Sequence, residues 1–208
     1  MKRGLFITFE GPDKAGKSTQ IRLFCEYLER EGIPYVLTRE PGGCEVSEKI
    51  RNIILDIQND MGPICEAMLY AAARAELVRQ VIRPAVEGGT LVVCDRYVDS
   101  SIAYQGFGRE LGYEYVKQLN EAAVDGMIPD LTYYLRMDPD EAMGRMKGEQ
   151  KDRLESAGRN FRSRVMQGYE QLAKENPNRI AAIRANQSIP EVHRQVIAAF
   201  EQIRGGRA

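Results

Sequence analysis

The stretch Gly11-Pro12-Asp13-Lys14-Ala15-Gly16-Lys17-Ser18 satisfies the pattern G-x-x-x-x-G-K-[ST] at every position. Its surroundings narrow the fold further. Leu5-Phe6-Ile7-Thr8-Phe9 reads as a buried strand ending at the motif, and Ile21, Phe24, Cys25 and Leu28 recur beyond it at helical spacing. In that strand–loop–helix order the glycines let the backbone wrap an anion with its N–H groups turned inward. The new helix adds its own free N–H groups and positive dipole end. Gly11 through Thr19 are therefore expected to cradle the phosphates of a nucleoside triphosphate, with Lys17 reaching the outer phosphates and Ser18 holding Mg²⁺. The competing reading is a Gly-rich turn that binds nothing; the strand and helix flanking the motif argue against it.

Further apolar runs look like buried strands: Tyr35–Leu37, Leu91–Cys94, Leu131–Leu135 and Ile180–Ile183. Helical patterns lie between them. One carries Val46, Ile50, Ile53, Ile54 and Ile57, and a longer one runs from about Glu66 to Val86. Others follow Gly112 to about Val124, Glu155–Lys174 and Pro190–Ile203. Strand-like runs alternating with helices predict an α/β fold with a parallel sheet covered on both faces. With 208 residues the chain is expected to form a single domain over residues 1–208. Ligands of such sheets gather at the carboxyl ends of the strands, and the polar oddities fall there: Gly11–Ser18, Thr38–Gly43 and Asp95–Gln105. The segment 144–155 differs, holding Arg145, Lys147, Lys151 and Arg153 with little apolar periodicity. It reads either as a solvated charged loop or as a mobile basic lid that closes over phosphates.

Composition removes several classes. A formal charge of −1 with 28% charged residues gives no global basic field for nucleic acid or membrane. No stretch approaches the length of a membrane span, and the apolar run at Leu5 is too short for a leader and ends in the phosphate loop. Cys25, Cys44, Cys65 and Cys94 form no C-x-x-C pair and read as reduced, structural thiols of a cytoplasmic protein. The one histidine, His193, falls on a predicted helix; it argues against a zinc site or a Ser/His/Asp triad and reads as solvated or capping.

The remaining candidates sit at the strand ends. Asp95-Arg96 closes the third strand, where an acid can hold Mg²⁺ directly or through water and an arginine can grip a phosphate with two N–H groups. Thr38-Arg39-Glu40-Pro41-Gly42-Gly43 marks a loop of special geometry, in which Arg39 and Glu40 could form a structural ion pair. Tyr70 and Arg74 share one helix face, suited to stacking on a base and bonding its edge, or simply to a core tyrosine beside a surface arginine. Asp99-Ser100-Ser101-Ile102-Ala103-Tyr104-Gln105-Gly106 could line a nucleoside pocket or cap a helix.

Taken in order, Phe9–Ser18, Thr38–Gly43, Tyr70–Arg74, Asp95-Arg96-Tyr97 with Ser100–Gly106, and Asp152-Arg153-Leu154-Glu155 resemble the thymidylate kinase (dTMP kinase) family in its bacterial form, over nearly the whole chain. The resemblance implies a nucleoside monophosphate kinase fold with a five-stranded parallel sheet, the reaction ATP + dTMP → ADP + dTDP with Mg²⁺, and a homodimer whose subunits each keep a site. It implies Asp13 near the sugar 3′-hydroxyl, Arg96 with Arg39 and Arg51 at the dTMP phosphate, and Glu40 among the substrate-binding residues. Tyr70 would stack on thymine, where the family more often has Phe. Arg74 would bond O4, Ser101 and Gln105 would meet the Watson–Crick edge, and Tyr104 would exclude a 2′-hydroxyl. A cis peptide is implied at Arg96–Tyr97.

Catalysis would fall to Asp13, Lys14, Lys17, Arg96 and Arg153, with Ser18 and Asp95 at the metal. Two features depart from the family. Lysines, Lys14 and Lys147, stand at the two places where relatives carry a catalytic arginine, and Arg184 replaces the acid common in the adenine-side loop. The rivals are another nucleoside or nucleoside monophosphate kinase, a GTPase-type switch, and an inactive binding module. The switch would need Asn-Lys-x-Asp and a later Asp-x-x-Gly, both of which the sequence lacks. Asp13, Lys17, Ser18, Asp95 and Arg96, all present, argue against an inactive module.

Overall fold

A computed structural model describes residues 3–138, 141 and 158–206. At its centre five parallel strands lie in the order β2-β3-β1-β4-β5. They are β1 (Phe6–Glu10), β2 (Tyr35–Arg39), β3 (Leu91–Asp95), β4 (Leu131–Arg136) and β5 (Ile180–Arg184). Each runs one or two residues past the end of its apolar stretch. The ladder continues through polar side chains, because backbone pairing is indifferent to what projects from it.

The strands read as continuous apolar runs because both faces of the sheet are covered. Within β1, Phe6 faces a core containing Leu77, Ile82, Tyr97 and Tyr169. Ile7 and Phe9 face the other, among Ile21, Phe24, Leu28, Val196 and Phe200. That second face is covered by α1 (Lys17–Arg30) and α8 (Ile189–Gly205), with Phe24 and Phe200 in edge contact at 5.1 Å. The first lies under α3 (Pro63–Leu77), α6 (Tyr113–Val124) and α7 (Gly158–Glu175), while α2 (Glu45–Leu55) packs beside α3.

The helix expected over Glu66–Val86 differs in detail. It starts at Pro63, passes through a π-helical turn at Val78–Ile82, and resumes as α4 (Arg83–Glu87). Pro84 carries no N–H for the regular ladder, and the wider turn with Arg83 N–H donating to the Val78 carbonyl absorbs the break. A second irregular helix follows β3: α5 (Val98–Ser101) widens into a π segment at Ile102–Gly108.

Three local expectations are corrected. Among the described residues the cis peptide is Glu40–Pro41 and not Arg96–Tyr97; the chain instead turns after β3 by placing Arg96 in the left-handed region at φ 66°. His193 is only partly solvated and does not cap its helix. It sits half-buried within α8 with Nδ1 buried and unpaired among the described residues, and Ser188 with Glu191 forms the capping box. Cys65 is exposed rather than structural, although all four thiols are free. No described helix is long and apolar enough to cross a membrane.

Registry levels the carboxyl ends: Phe9 pairs with Asp95, and Asp95 with Arg39. The loops after β1, β2 and β3 therefore open onto one edge of the sheet, where side chains distant in sequence meet.

Candidate active site

The phosphate loop runs from β1 into α1. A Cβ at Gly11 would lie 2.6 Å from the Leu135 carbonyl oxygen, so only glycine fits where the loop crosses β4. Lys14 and Gly16 both take positive φ, 63° and 90°, which fixes the curl of the loop. Lys17 folds back over it, its Nζ donating to the carbonyls of Gly11 at 3.0 Å and Pro12 at 2.9 Å. Burial, and then the Arg96 charge, pull the Lys17 ammonium down to about 8 against the opposing Asp13, Asp95 and Glu10. Ser18 is exposed and Thr19 half-buried in the first turn of α1.

Ser18 and Asp95 line a common groove of about 690 Å³ beside β2. Asp95 Oδ1 is buried and accepts no hydrogen bond from the described residues. A hydroxyl and an uncommitted carboxylate oxygen are hard donors suited to Mg²⁺, which takes few protein ligands and completes its shell with water and phosphate oxygens. The described residues contain no cluster of three or more His, Cys, Asp or Glu able to hold a metal on their own.

A second cavity, of about 180 Å³, opens on the other side of Asp95. Asp13, Arg39, Glu40, Arg51, Tyr70, Asp95, Arg96, Ser101, Tyr104 and Gln105 all line it. Arg96 forms the junction between loop and cavity. Its Nη1 donates to the Gly11 carbonyl at 3.0 Å and to Ser100 Oγ at 3.3 Å, its Nη2 donates to Asp13, and its guanidinium lies 5.2 Å from the centre of the Tyr104 ring. Burial opposes the charge on Asp13, but Arg96 and Lys17 outweigh it and hold the carboxyl below its ordinary range. Tyr104 Oη reaches Asp13 at 3.4 Å.

Beneath Arg96 lies Glu10, fully buried at the end of β1. It accepts from the Tyr97 amide at 2.7 Å, Ser100 Oγ at 2.5 Å and Tyr169 Oη at 2.9 Å, pinning the turn that carries Arg96. Burial, with Asp99 nearby, pushes its carboxyl up to about 7. Asp99 serves the framework, accepting from Arg179 at 2.7 and 2.9 Å.

The far end of the cavity is built by α3 and the π segment. Tyr70 and Gln105 reach the wall; Arg74 does not, and lies behind it at 1% exposure. Its guanidinium donates to Glu40 through Nε and Nη2, to Ser101 Oγ at 3.0 Å and to Asn120. Arg39 and Glu40 do not pair with one another, since successive residues leave a strand on opposite sides. Arg39 pairs with Glu48 at 2.9 Å, while Arg51 donates to the Pro41 carbonyl at 2.8 Å.

Glu10, Glu66, Asn120 and Tyr169 were not singled out from the sequence as site residues. Glu66 alone had a readable signal, standing four residues before Tyr70 and eight before Arg74 on one helix face. Arg184 lines a groove of about 280 Å³ with Arg136 and Asn186 at the ends of β4 and β5. The basic residues Arg145, Lys147, Lys151 and Arg153, and with them the expected lid, lie outside the described residues.

A parallel sheet of this strand order, with a phosphate loop after β1 and a polar cavity at the neighbouring carboxyl ends, defines the class: a phosphate-loop nucleotide kinase of the nucleoside monophosphate kinase fold. The family model described as Thymidylate kinase matches residues 9–196. Relatives named thymidylate kinase include one from Caldanaerobacter subterraneus subsp. tengcongensis, 45% identical over 96% of each chain. Another, from Exiguobacterium sp., is 47% identical over 93% of this chain and 92% of its own. The crystal structure of thymidylate kinase from Ehrlichia chaffeensis superposes with a TM-score of 0.79 at 34% identity, covering 96% of this chain and 99% of that one. The chain belongs to the thymidylate kinase family.

Proposed function

We propose that this protein transfers the γ-phosphoryl group of ATP to dTMP, giving ADP and dTDP. The observation that carries the reading is Arg96, bonded at once to the phosphate loop and to the wall of the polar cavity beside it. A phosphate monoester entering the cavity meets its guanidinium beside the loop that binds the donor. An oxygen of that monoester attacks the γ-phosphorus, and the bond from the γ-phosphorus to the bridging oxygen of ADP breaks. The reaction needs in-line placement and charge neutralisation rather than covalent participation by the protein. Lys17 supplies a buried cation at the donor phosphates, and Arg96 a two-pronged grip on the acceptor. Mg²⁺ held near Ser18 and Asp95 would neutralise charge on the donor phosphates. Asp13 and Tyr104 face the sugar, and Tyr70, Ser101 and Gln105 the base. Arg74 gives four of its five N–H groups to Glu40, Ser101 and Asn120, so it holds Glu40 and Ser101 in place and keeps one N–H for the base oxygen O4.

The deciding experiment is a coupled ADP-release assay with ATP against dTMP, dUMP, ribo-TMP, dCMP and AMP. dTMP should give the highest kcat/KM. dUMP should follow, weaker by about 1–3 kcal/mol for the lost methyl contact. Ribo-TMP should be poor because Tyr104 crowds C2′. Faster turnover of AMP or dCMP than of dTMP would overturn the reading.

The same reading carries a homodimer. Ile53, Ile57, Ile64 and Met68 stand 47–70% exposed on or beside α2 and α3, an apolar patch of the kind a second copy covers. Light scattering at the mass of one chain would refute it. Cytoplasmic residence goes with the free thiols, and Lys14 in the phosphate loop with Arg145, Lys147 and Arg153 in the basic segment are the candidates for the cation at the transferring phosphoryl group.

A further inference from the structure

We propose that Glu66 sets base selectivity by locking the side-chain amide of Gln105 with its oxygen toward the base site. The site then accepts a pyrimidine carrying a hydrogen on N3 and rejects one whose N3 is a bare lone pair. The inference rests on the proposed pyrimidine nucleotide in the cavity.

Glu66 lies in the first turn of α3, fully buried. Gln105 Nε2 donates to its Oε1 at 2.8 Å. Arg109 donates to both of its oxygens, Nε to Oε1 at 3.2 Å and Nη2 to Oε2 at 3.0 Å, and is itself placed over the Phe161 ring at 4.9 Å. Held against a guanidinium in this way, the carboxylate is a pure acceptor. The edge of Gln105 that faces it must therefore be the NH₂. The flipped amide would set oxygen against oxygen at a site where Glu66 is 0% and Gln105 1% exposed, leaving buried acceptors unpaired. Gln105 also lines the cavity, and its Oε1 accepts no hydrogen bond from the described residues. That oxygen is what the amide offers the ligand.

Thymine and uracil present N3–H between two carbonyls, so an amide oxygen pairs with them. Cytosine presents an N3 acceptor, and two acceptors then face each other without a proton. Sites that bond a ligand's polar edge discriminate far more strongly than apolar pockets, because the mismatch strands buried groups. Glu66 is a positioning residue here: it reaches the base only through Gln105.

The experiment has a protein arm and a ligand arm. In E66Q the residue at 66 can present either oxygen or NH₂, which releases the constraint on Gln105. The ratio of kcat/KM for dTMP to that for dCMP should fall by about tenfold or more. Arg109→Lys shortens the fork but keeps a cation beside Glu66 and so keeps the acceptor, and should leave the ratio within about twofold even if both rates drop. In the ligand arm, 3-deaza-dCMP, with C–H in place of N3, is compared with dCMP as a competitor of dTMP on the unaltered protein. It should bind more tightly, because a lone pair facing oxygen has been removed. A folded E66Q with an unchanged ratio, or 3-deaza-dCMP binding no better than dCMP, overturns the proposal. Should E66Q fail to fold, the ligand arm decides. Absence of dTMP turnover by the unaltered protein would instead refute the proposed function itself.

Discussion

Arg96 concentrates the chemistry of the site into one residue. It occupies a left-handed φ that costs a non-glycine residue roughly 1 kcal/mol or more, and Glu10, Ser100 and Asp13 hold it there. Replacing it with alanine should lower kcat/KM for dTMP by roughly 10²-fold or more, as for other preorganised charge-stabilising groups. Arg96→Lys should recover little, because a point charge cannot reproduce the fork; steady-state kinetics that found it near normal would make Arg96 structural.

Lys17 gives a pH prediction. Its ammonium titrates at about 8 in the folded chain, against 10.5 when unperturbed, so the charge is lost as pH rises through 8. Phosphate bound beside it raises that value again. Hence kcat/KM for ATP should fall above about pH 8 while kcat holds to higher pH, since the first reports the free enzyme and the second the complex. A pH–rate profile flat to pH 10 in both parameters would contradict it. At this scale the sequence was informative where residues belong to a motif. Asp13, Lys17, Asp95 and Arg96 were readable because their spacing is their signature. Glu10 was not, since a buried acid at the end of an apolar run announces nothing until its donors, which lie far off in sequence, are placed.

Among the elements, the strands were legible and the helices less so. Five apolar runs gave the five strands, short only at their polar ends. The two π segments left no trace, because a few residues cannot distinguish their wider turn from the ordinary period. The segment Ile102–Gly108 nevertheless matters, as it carries Tyr104 and Gln105 to the cavity wall. It is clamped to α7 by close contact: a Cβ on Gly168 would lie 3.0 Å from the Ala103 Cα and 2.8 Å from the Phe107 ring. Gly168→Ala should therefore destabilise the fold by about 1–3 kcal/mol through overpacking. It should also raise KM for dTMP by shifting Tyr104. Denaturant unfolding and kinetics measured together check this, and unchanged stability would mean that the contact gives way freely.

For the whole molecule, the parallel sheet explains why the site is where it is. Three strands end level, and the loops they release supply the phosphate loop, the Pro41 loop and the Arg96 turn to one edge. The two grooves at this edge meet at Asp95, which lines both. The sequence indicated that these loops share an edge, but not the ion pairs that tie the end of β2 to α2 and α3. Arg39 with Glu48 and Glu40 with Arg74 are choices made by packing, not by adjacency. This arrangement assigns each end of the acceptor a place, and a crystal structure with dTMP and a non-hydrolysable ATP analogue reads those places directly. The thymine should lie against Tyr70 with N3 facing Gln105, and the dTMP phosphate against Arg96, pointing at the γ-phosphate over Lys17. If dTMP were found outside this cavity, or seated in it with its phosphate toward Tyr70, the assignment would be wrong.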